Sequence, residues 1–251
     1  MASVKKENAA KKDNAAKKEN AAKKESIAKK RLRAGLLIEG LNALYSEADC
    51  SLDYVNPLQL LISTQLAAQC TDERVNQVTQ TLYEKYRNVH DFANADITEF
   101  ENDIKSTGFF HNKARNIIGC CRMLIADYGG EVPRELDDLL KLPGVGRKTA
   151  NLVLGDAFGV PGIVVDTHAG RLARRMGLTV QMDPEKVEYD LMKIIPKASW
   201  TRFCHQLVLH GRAVCSSRKA SCSACTLSPD CPKIIATTKT GIRDQGLGIR
   251  D

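Results

Sequence analysis

A lysine near the start of a predicted helix is the first residue of this sequence whose position could serve chemistry. Residues 142–158 read LPGVGRKTANLVLGDAF, and the apolar side chains after Lys148 recur at helical spacing. A helix N-terminus disfavours an ammonium group, by tenths of a kcal/mol up to about 1 kcal/mol. Lys148 is therefore either a solvated surface lysine or an amine that must lose its proton to react. A neutral amine in a partly desolvated cleft is a nucleophile toward an aldehyde-like carbon.

The two glycines before this helix predict a tight turn that could hold a phosphate. Gly144 and Gly146 bracket Val145, whose side chain can pack inward while the glycines free the backbone for positive φ. The N–H groups at the start of the helix then face outward and can bind phosphate without reading bases. Arg147 and Lys148 add positive charge at the same place. A purely structural helical hairpin contains such glycines too, so the motif alone leaves both interpretations open.

Asp166 begins the segment DTHAGRLARRM, which starts another predicted helix. An Asp at this position ordinarily caps the helix by accepting a backbone hydrogen bond. A catalytic carboxylate would instead lie near a positive or developing positive charge, and one residue could serve both purposes. Cap and catalytic group remain alternatives for Asp166.

Four cysteines near the C-terminus have the spacing of a metal site. Cys215, Cys222, Cys225 and Cys231 are separated by six, two and five residues. Such clustering is not expected of scattered surface cysteines, and four thiolates can hold either a zinc ion or a [4Fe–4S] cluster. The other cysteines lack this spacing, and we predict that they are small buried side chains: Cys50, Cys70, Cys120, Cys121 and Cys204.

The net charge of +7 is unevenly distributed along the 251 residues. The first 33 residues contain twelve Lys and Arg against four acidic residues, whereas the remainder contains twenty-five against twenty-six. The first 28 residues repeat a six-residue unit without an apolar stripe, which predicts a solubility tail or a weak phosphate-binding arm. A nucleic-acid site on the body must come from local clusters: Arg147–Lys148, Arg171–Arg174–Arg175 and Arg212–Arg218–Lys219.

The rest of the chain indicates a helical protein of a reducing compartment. No run approaches the roughly 18 apolar residues of a membrane span, and the N-terminus has the features of neither a signal nor a transit peptide. We therefore expect a cytoplasmic location and thiols rather than disulfides. Helical apolar spacing predicts an all-α protein in which only Ile163–Val164–Val165 resembles a strand. Prolines suited to first helical turns mark three starts: Pro57, Pro133 and Pro184.

The motifs LPGVGRKTANLVL and VDTH, together with the cysteine spacing, resemble endonuclease III, a family of base-excision DNA glycosylases in the helix-hairpin-helix superfamily. The resemblance runs from about residue 30 to residue 233. It implies two helical lobes with DNA at the cleft between them. Residues 52–164 would form a six-helix barrel with the hairpin, and residues 29–51 plus 165–233 an iron–sulfur lobe. Residues 1–28 and 234–251 would be tails.

The resemblance also assigns roles to individual residues. Lys148 matches the catalytic lysine, Asp166 the catalytic aspartate, and the four cysteines the ligands of a [4Fe–4S] cluster. Gln69 matches the residue that fills the gap left by an extruded base. Phe109 matches a second wedge that is often leucine, and its larger ring departs from that pattern. The remaining DNA contacts would come from the hairpin and from the cysteine loop, the segment 215–231 that contains the four cysteines: Gly144, Val145, Gly146, Arg147, Arg218 and Lys219.

The reaction implied by the resemblance is excision of oxidised pyrimidines from duplex DNA. A lysine Schiff base and β-elimination 3′ to the abasic site would cut the strand, and we expect a nucleoid-associated monomer with no membrane partner. One alternative is an adenine glycosylase of the same superfamily, which carries a catalytic Glu near the position of Gln65. Another is a non-catalytic helix-hairpin-helix DNA-binding module, which would leave Lys148 and Asp166 without a role.

Overall fold

The computed structural model describes residues 25–234, which form eleven α-helices and two 3₁₀ turns without a β-strand. This agrees with the predicted all-α class, and residues 163–165 belong to no strand. Nearly all of the N-terminal repeat and of the C-terminal tail lies outside the described residues. The helices are α1 (Ile27–Leu44), α2 (Pro57–Leu66), α3 (Asp72–Lys85), α4 (Val89–Ala93), α5 (Ile97–Asp103), α6 (Phe110–Tyr128), α7 (Leu136–Leu139), α8 (Arg147–Phe158), α9 (Thr167–Arg175), α10 (Pro184–Met192) and α11 (Trp200–Ala213), with 3₁₀ turns at Lys105–Thr107 and Lys197–Ser199.

Side-chain caps and prolines account for several helix starts. Asp166 caps α9 by accepting a hydrogen bond from the Ala169 N–H at 2.7 Å, and Pro57 and Pro184 lie in the first turns of α2 and α10, as predicted. The helix predicted from Pro133 is wrong, because α7 is a single turn that begins at Leu136. None of the helices between residues 25 and 234 combines the length and the apolar character that crossing a membrane requires.

Buried apolar side chains form two clusters. The first cluster lies among helices α2 to α8 and spans residues 52–154. The second cluster joins α1 to α9, α10 and α11 and spans residues 34–41 and 163–227. Leu152 on α8 packs against both clusters. Helix α8 therefore lies between them, and its orientation is fixed from two sides.

The turn before α8 requires glycine at only one of its two glycine positions. Gly144 has φ +75°, and a Cβ atom there would lie 2.7 Å from Gln65 Oε1 and 2.8 Å from Asn116 Cβ. Val145 is buried, and its N–H donates to the Leu142 carbonyl at 3.1 Å. Gly146 has φ −98°, and no atom lies within 4 Å of its hypothetical Cβ. The turn therefore depends on Gly144 for backbone conformation and for close packing.

We expect Gly144→Ala to lower the free energy of unfolding by about 1–3 kcal/mol, because it adds left-handed strain and displaces a buried contact. For a domain of this size that is a fall of several degrees in Tm, at roughly 2–4 °C per kcal/mol. Gly146→Ala is the matched control, with an expected change within about 0.5 kcal/mol. Thermal unfolding measures both variants, and equal losses would contradict the special role of Gly144.

Candidate nucleic-acid interface and metal centre

The N-terminus of α8 presents free backbone donors to solvent. Gly146 is the N-cap, and no side chain accepts a hydrogen bond from the first turn. Among residues 25–234, neither Gly144 nor Gly146 donates its N–H to another group. Lys148 is the second residue of the helix, and its side chain is exposed. The helix end thus combines partial positive charge, free N–H groups and an amine. Within residues 25–234 the Lys148 side chain is exposed rather than held in the partly desolvated cleft that the sequence predicted.

The segment after α8 turns back along the helix and passes Asn151 at Ile163, three residues before Asp166. The chain reverses at Gly159, whose φ is +65°, and Asn151 Nδ2 donates to the Ile163 carbonyl at 3.2 Å. The twelve residues of α8 rise about 18 Å, and the seven residues 160–166 can span about 23 Å when extended. Residues 160–166 are therefore long enough for Asp166 to reach the end of α8 that carries Lys148.

Asp166 is partly buried and uses one carboxylate oxygen as the cap of α9. Oδ1 accepts the Ala169 N–H, while Oδ2 accepts no hydrogen bond from residues 25–234. No ion pair within 4.0 Å joins Asp166 to Lys148 in the described chain. The cap fixes the position of the carboxylate and leaves one oxygen available to a substrate, so a structural and a chemical role are compatible.

Arg147 forms a two-bond ion pair that the sequence did not reveal. Its Nε and Nη2 donate to the two carboxylate oxygens of Glu188 on α10, each at 2.8 Å, and its guanidinium lies 5.2 Å from the centroid of the Tyr189 ring. The Glu188 side chain is 4% exposed, and its hydrogen bond raises the pKa of Arg147. Arg147 thus anchors the start of α8 to α10, which leaves its backbone amide, rather than its side chain, for an external ligand.

Gln69 and Phe109 protrude from two separate loops, which join α2 to α3 and α5 to α6. Both are exposed, Phe109 to 62%, and both have left-handed backbone, with φ +56° and +48°. This conformation costs a non-glycine residue about 1–2 kcal/mol. An exposed aromatic ring and an exposed amide on strained loops fit residues that insert into a partner, and sequence patterns give no sign of the backbone strain.

The four C-terminal cysteines line a single pocket, together with Arg175 and His210. Arg175 Nη1 lies 3.3 Å from Cys215 Sγ, and His210 Nε2 lies 3.5 Å from Cys225 Sγ. Burial raises the pKa of the Cys225 and Cys231 thiols and lowers the pKa of His210. Four cysteines around one pocket are a donor set that fits a metal centre.

The spread of the four sulfur atoms tests which centre fits. A single zinc ion with Zn–S bonds of about 2.3 Å would hold its sulfur atoms within about 4 Å of one another. No three of the cysteine sulfurs lie within 4.8 Å, since the only such donor set in residues 25–234 comes from Asp49, Asp156 and His205, of which the last two form an ion pair at 2.8 Å. The donor set therefore fits a centre larger than one metal ion, as a [4Fe–4S] cluster is.

Only some of the basic residues that cluster in the sequence are free at the surface. Arg175 donates to the carbonyls of Ser216 and Ser217, at 2.6 and 3.0 Å, and so holds the cysteine loop from inside. Arg212 pairs with Asp72 at 3.3 Å. Arg218 and Lys219 are exposed, and neither forms an ion pair within the described residues. Of the cluster Arg212, Arg218 and Lys219, the last two therefore remain available to a phosphate.

Comparison with known proteins identifies close relatives. A model of the HhH-GPD superfamily of base excision DNA repair proteins matches residues 62–197. Endonuclease III of Synechocystis is 50% identical over 206 residues, which cover 82% of this chain and 94% of that protein. Endonuclease III of Bacillus subtilis is 43% identical over 206 residues, with the same coverage of 82% and 94%.

Two solved structures are similar over the same region. One is a non-covalent endonuclease III–DNA complex and the other a trapped endonuclease III–DNA covalent intermediate. Each is 46% identical with a TM-score of 0.77, and the alignments cover 81% of this chain and 95% and 96% of those chains. The identity, the coverage and the shared helical fold show that this chain belongs to the endonuclease III family, within the HhH-GPD superfamily of base excision DNA repair proteins.

Proposed function

We propose that this protein is a bifunctional DNA glycosylase and AP lyase that removes oxidised pyrimidines from duplex DNA. The observation that carries the proposal is the N-terminus of α8, where the exposed Lys148 lies beside free backbone donors; the return of the chain past Asn151, three residues before Asp166, supports it. The covalent DNA intermediate trapped with a 46% identical protein supports a reaction in which the enzyme bonds to its substrate. The enzyme would act as a nucleoid-associated monomer.

Binding would begin at the phosphate backbone. The free N–H groups of Gly144 and Gly146 and the first turn of α8 can hold a phosphate, with Arg147 acting through its amide and the buried Val145 anchoring the turn. Arg218 and Lys219 would hold a second phosphate from the cysteine loop. These contacts orient the duplex and carry no base information.

Recognition would require extrusion of the damaged base, which costs a few kcal/mol and least for a weakly stacked lesion. The saturated ring of an oxidised pyrimidine does not stack flat, so selection starts before the base reaches the site. Gln69 would fill the space left by the base and Phe109 would insert as a second wedge, since both side chains already project from the protein.

The chemistry would follow at the sugar of the extruded nucleotide. The neutral Lys148 amine attacks C1′, the bond from C1′ to the base breaks, and the base leaves with a proton. The sugar ring then opens to an imine between Nζ and C1′, a proton leaves C2′, and the bond from C3′ to its oxygen breaks. Asp166, with its free oxygen, would stabilise positive charge on the sugar and transfer protons. Water releases the lysine.

The remaining parts of the chain would support this site. Cys215, Cys222, Cys225 and Cys231 would hold a [4Fe–4S] cluster whose role is structural: it would order the loop that carries Arg218 and Lys219. The two apolar clusters support a division into a barrel of residues 52–164 and an iron–sulfur lobe of residues 29–51 and 165–233, although α1 already begins at Ile27.

This chain lacks the catalytic glutamate that the adenine glycosylase alternative requires near Gln65. Gln65 lies near the position where that branch carries a glutamate, and a buried carboxamide cannot protonate a leaving base. A non-catalytic DNA-binding module would bind abasic DNA without cutting it. Incubation with abasic duplex separates that alternative from the proposed enzyme.

Borohydride should trap the wild-type protein on DNA that contains an abasic site or an oxidised pyrimidine, because it reduces the Schiff base. Lys148→Gln should bind this DNA and trap none of it, since the backbone donors of the hairpin remain. Lys186→Gln, at another exposed lysine, is the matched control and should trap normally. Asp166→Asn should keep its Tm, because Asn caps as well as Asp, while turnover falls by about 10²–10⁴-fold. An adduct with Lys148→Gln would mean that another amine is the nucleophile.

Gln69→Ala and Phe109→Ala should each slow excision from duplex by about tenfold, in line with stacking energies of about 1–3 kcal/mol. Excision from single-stranded substrate should change little, because only a duplex leaves a gap to fill. Val180→Ala serves as the control, because it removes apolar surface from a side chain outside these two loops that is 83% exposed. Single-turnover rates on the two substrates give the ratio. Equal losses on both would assign these residues to folding or general binding.

The purified protein should be brown and contain four iron atoms per chain, because iron–thiolate charge transfer absorbs visible light and zinc–thiolate does not. Cys222→Ser should lose iron and more than about 4 kcal/mol of unfolding free energy, whereas Cys50→Ser, outside the pocket, should retain iron. Metal analysis and absorption spectra report the outcome. A colourless, zinc-loaded and active preparation would rule out the iron–sulfur assignment.

A further inference from the structure

A buried lysine joins the two loops that carry Gln69 and Phe109. Lys113 lies in the first turn of α6, and only 6% of it is exposed. Its Nζ donates to the Leu66 carbonyl at 2.7 Å and to the Thr107 carbonyl at 2.8 Å. These carbonyls lie three residues before Gln69 and two residues before Phe109. A single ammonium group therefore connects the two protruding loops.

The surroundings of Lys113 offer no carboxylate to balance its charge. No ion pair of Lys113 exists within residues 25–234, and burial lowers the pKa of its ammonium group. Leu66 is the last residue of α2, where helix carbonyls have no intrahelical partner and carry partial negative charge. Thr107 ends the 3₁₀ turn Lys105–Thr107. The carbonyls at these two ends take the place of a carboxylate as partners of the buried charge.

Both loops are strained where they protrude. Gln69 and Phe109 are two of the three non-glycine residues with positive φ in the described chain, and Lys233 is the third. Such strain persists only where surrounding contacts fix the backbone. A hydrophobic side chain at position 113 could fill the same space, but it could not hold two carbonyls at a set separation. The lysine therefore determines the position of one loop relative to the other.

We propose that Lys113 is a positioning residue that sets the spacing between Gln69 and Phe109, so that both side chains enter the duplex at one lesion. The inference rests on the proposed function and adds a residue that touches neither the base nor the sugar. It predicts that Lys113 acts only through Gln69 and Phe109. Its removal matters where a duplex must be opened and matters little where the base is already free.

The test is a double-mutant cycle with Lys113→Met, which keeps the length of the side chain and removes the donor. On duplex DNA with one oxidised pyrimidine, we expect single-turnover excision to slow by about 10- to 100-fold, because small misplacements of positioning groups have effects of that size. On the single-stranded substrate we expect a change below about threefold. In a Gln69→Ala/Phe109→Ala background, adding Lys113→Met should slow duplex excision by less than about twofold, since the residues it positions are gone.

Two further variants separate positioning from stability and charge. Lys105→Met removes one positive charge from the same loop at an exposed side chain and should behave as wild type. Lys113→Gln retains a donor on a shorter side chain and should lie between wild type and Lys113→Met, which keeps the test open if the methionine variant does not fold. Tm values show whether each variant is folded at the assay temperature.

The outcomes distinguish this inference from the proposed function. If the wild-type protein neither excises the lesion nor forms a borohydride adduct, the proposed function is wrong. If the wild type is active but folded Lys113→Met slows both substrates equally, or its effect adds fully to Gln69→Ala/Phe109→Ala, Lys113 is only a structural residue. A loss confined to duplex, and absent when both wedges are alanine, supports the positioning role.

Discussion

The site depends on the N-terminus of α8, which has no side-chain cap and is nevertheless held in place by contacts elsewhere in the fold. The first turn of α8 has no side-chain cap, so its backbone donors and Lys148 face outward together. A bare helix end has to be fixed by contacts elsewhere. Gly144, in the turn before α8, fits against Gln65 on α2, and Arg147 is held by Glu188 on α10. Leu152 packs against both apolar clusters, so the whole helix is fixed while its first turn stays open.

Cations inside this protein hold loops by their carbonyls. Arg175 donates to the carbonyls of the cysteine loop, and Lys113 donates to those of the two protruding loops. An irregular loop carries carbonyl groups without regular partners, and a long cationic side chain can satisfy several of them at once. Positive charge therefore has two uses in this chain. Some of it orders the loops from inside, and some of it, as at Arg218 and Lys219, remains at the surface.

The contacts around the site favour preorganisation. The carboxylate of Asp166 is fixed by the helix that it caps, and Gln69 and Phe109 are fixed in backbone conformations that a free loop would not keep. Each group that would meet DNA is thus held by a contact on its protein side. Such an arrangement lowers the ordering cost when a substrate binds, which leaves more binding energy for extruding a base.

The sequence alone determined the helical class, the cap at Asp166, the turn at Gly144 and the metal-site spacing of the cysteines, because these features follow from local periodicity and short-range geometry. The family resemblance indicated Gln69 and Phe109, but no local pattern showed their strained backbone. Only the tertiary structure revealed that Arg147 is paired with Glu188, forty-one residues away, and that Lys113 reaches Leu66, forty-seven residues away. Basic residues look alike in a sequence, and packing alone decides which of them are buried against carbonyls or carboxylates and which remain free for a phosphate.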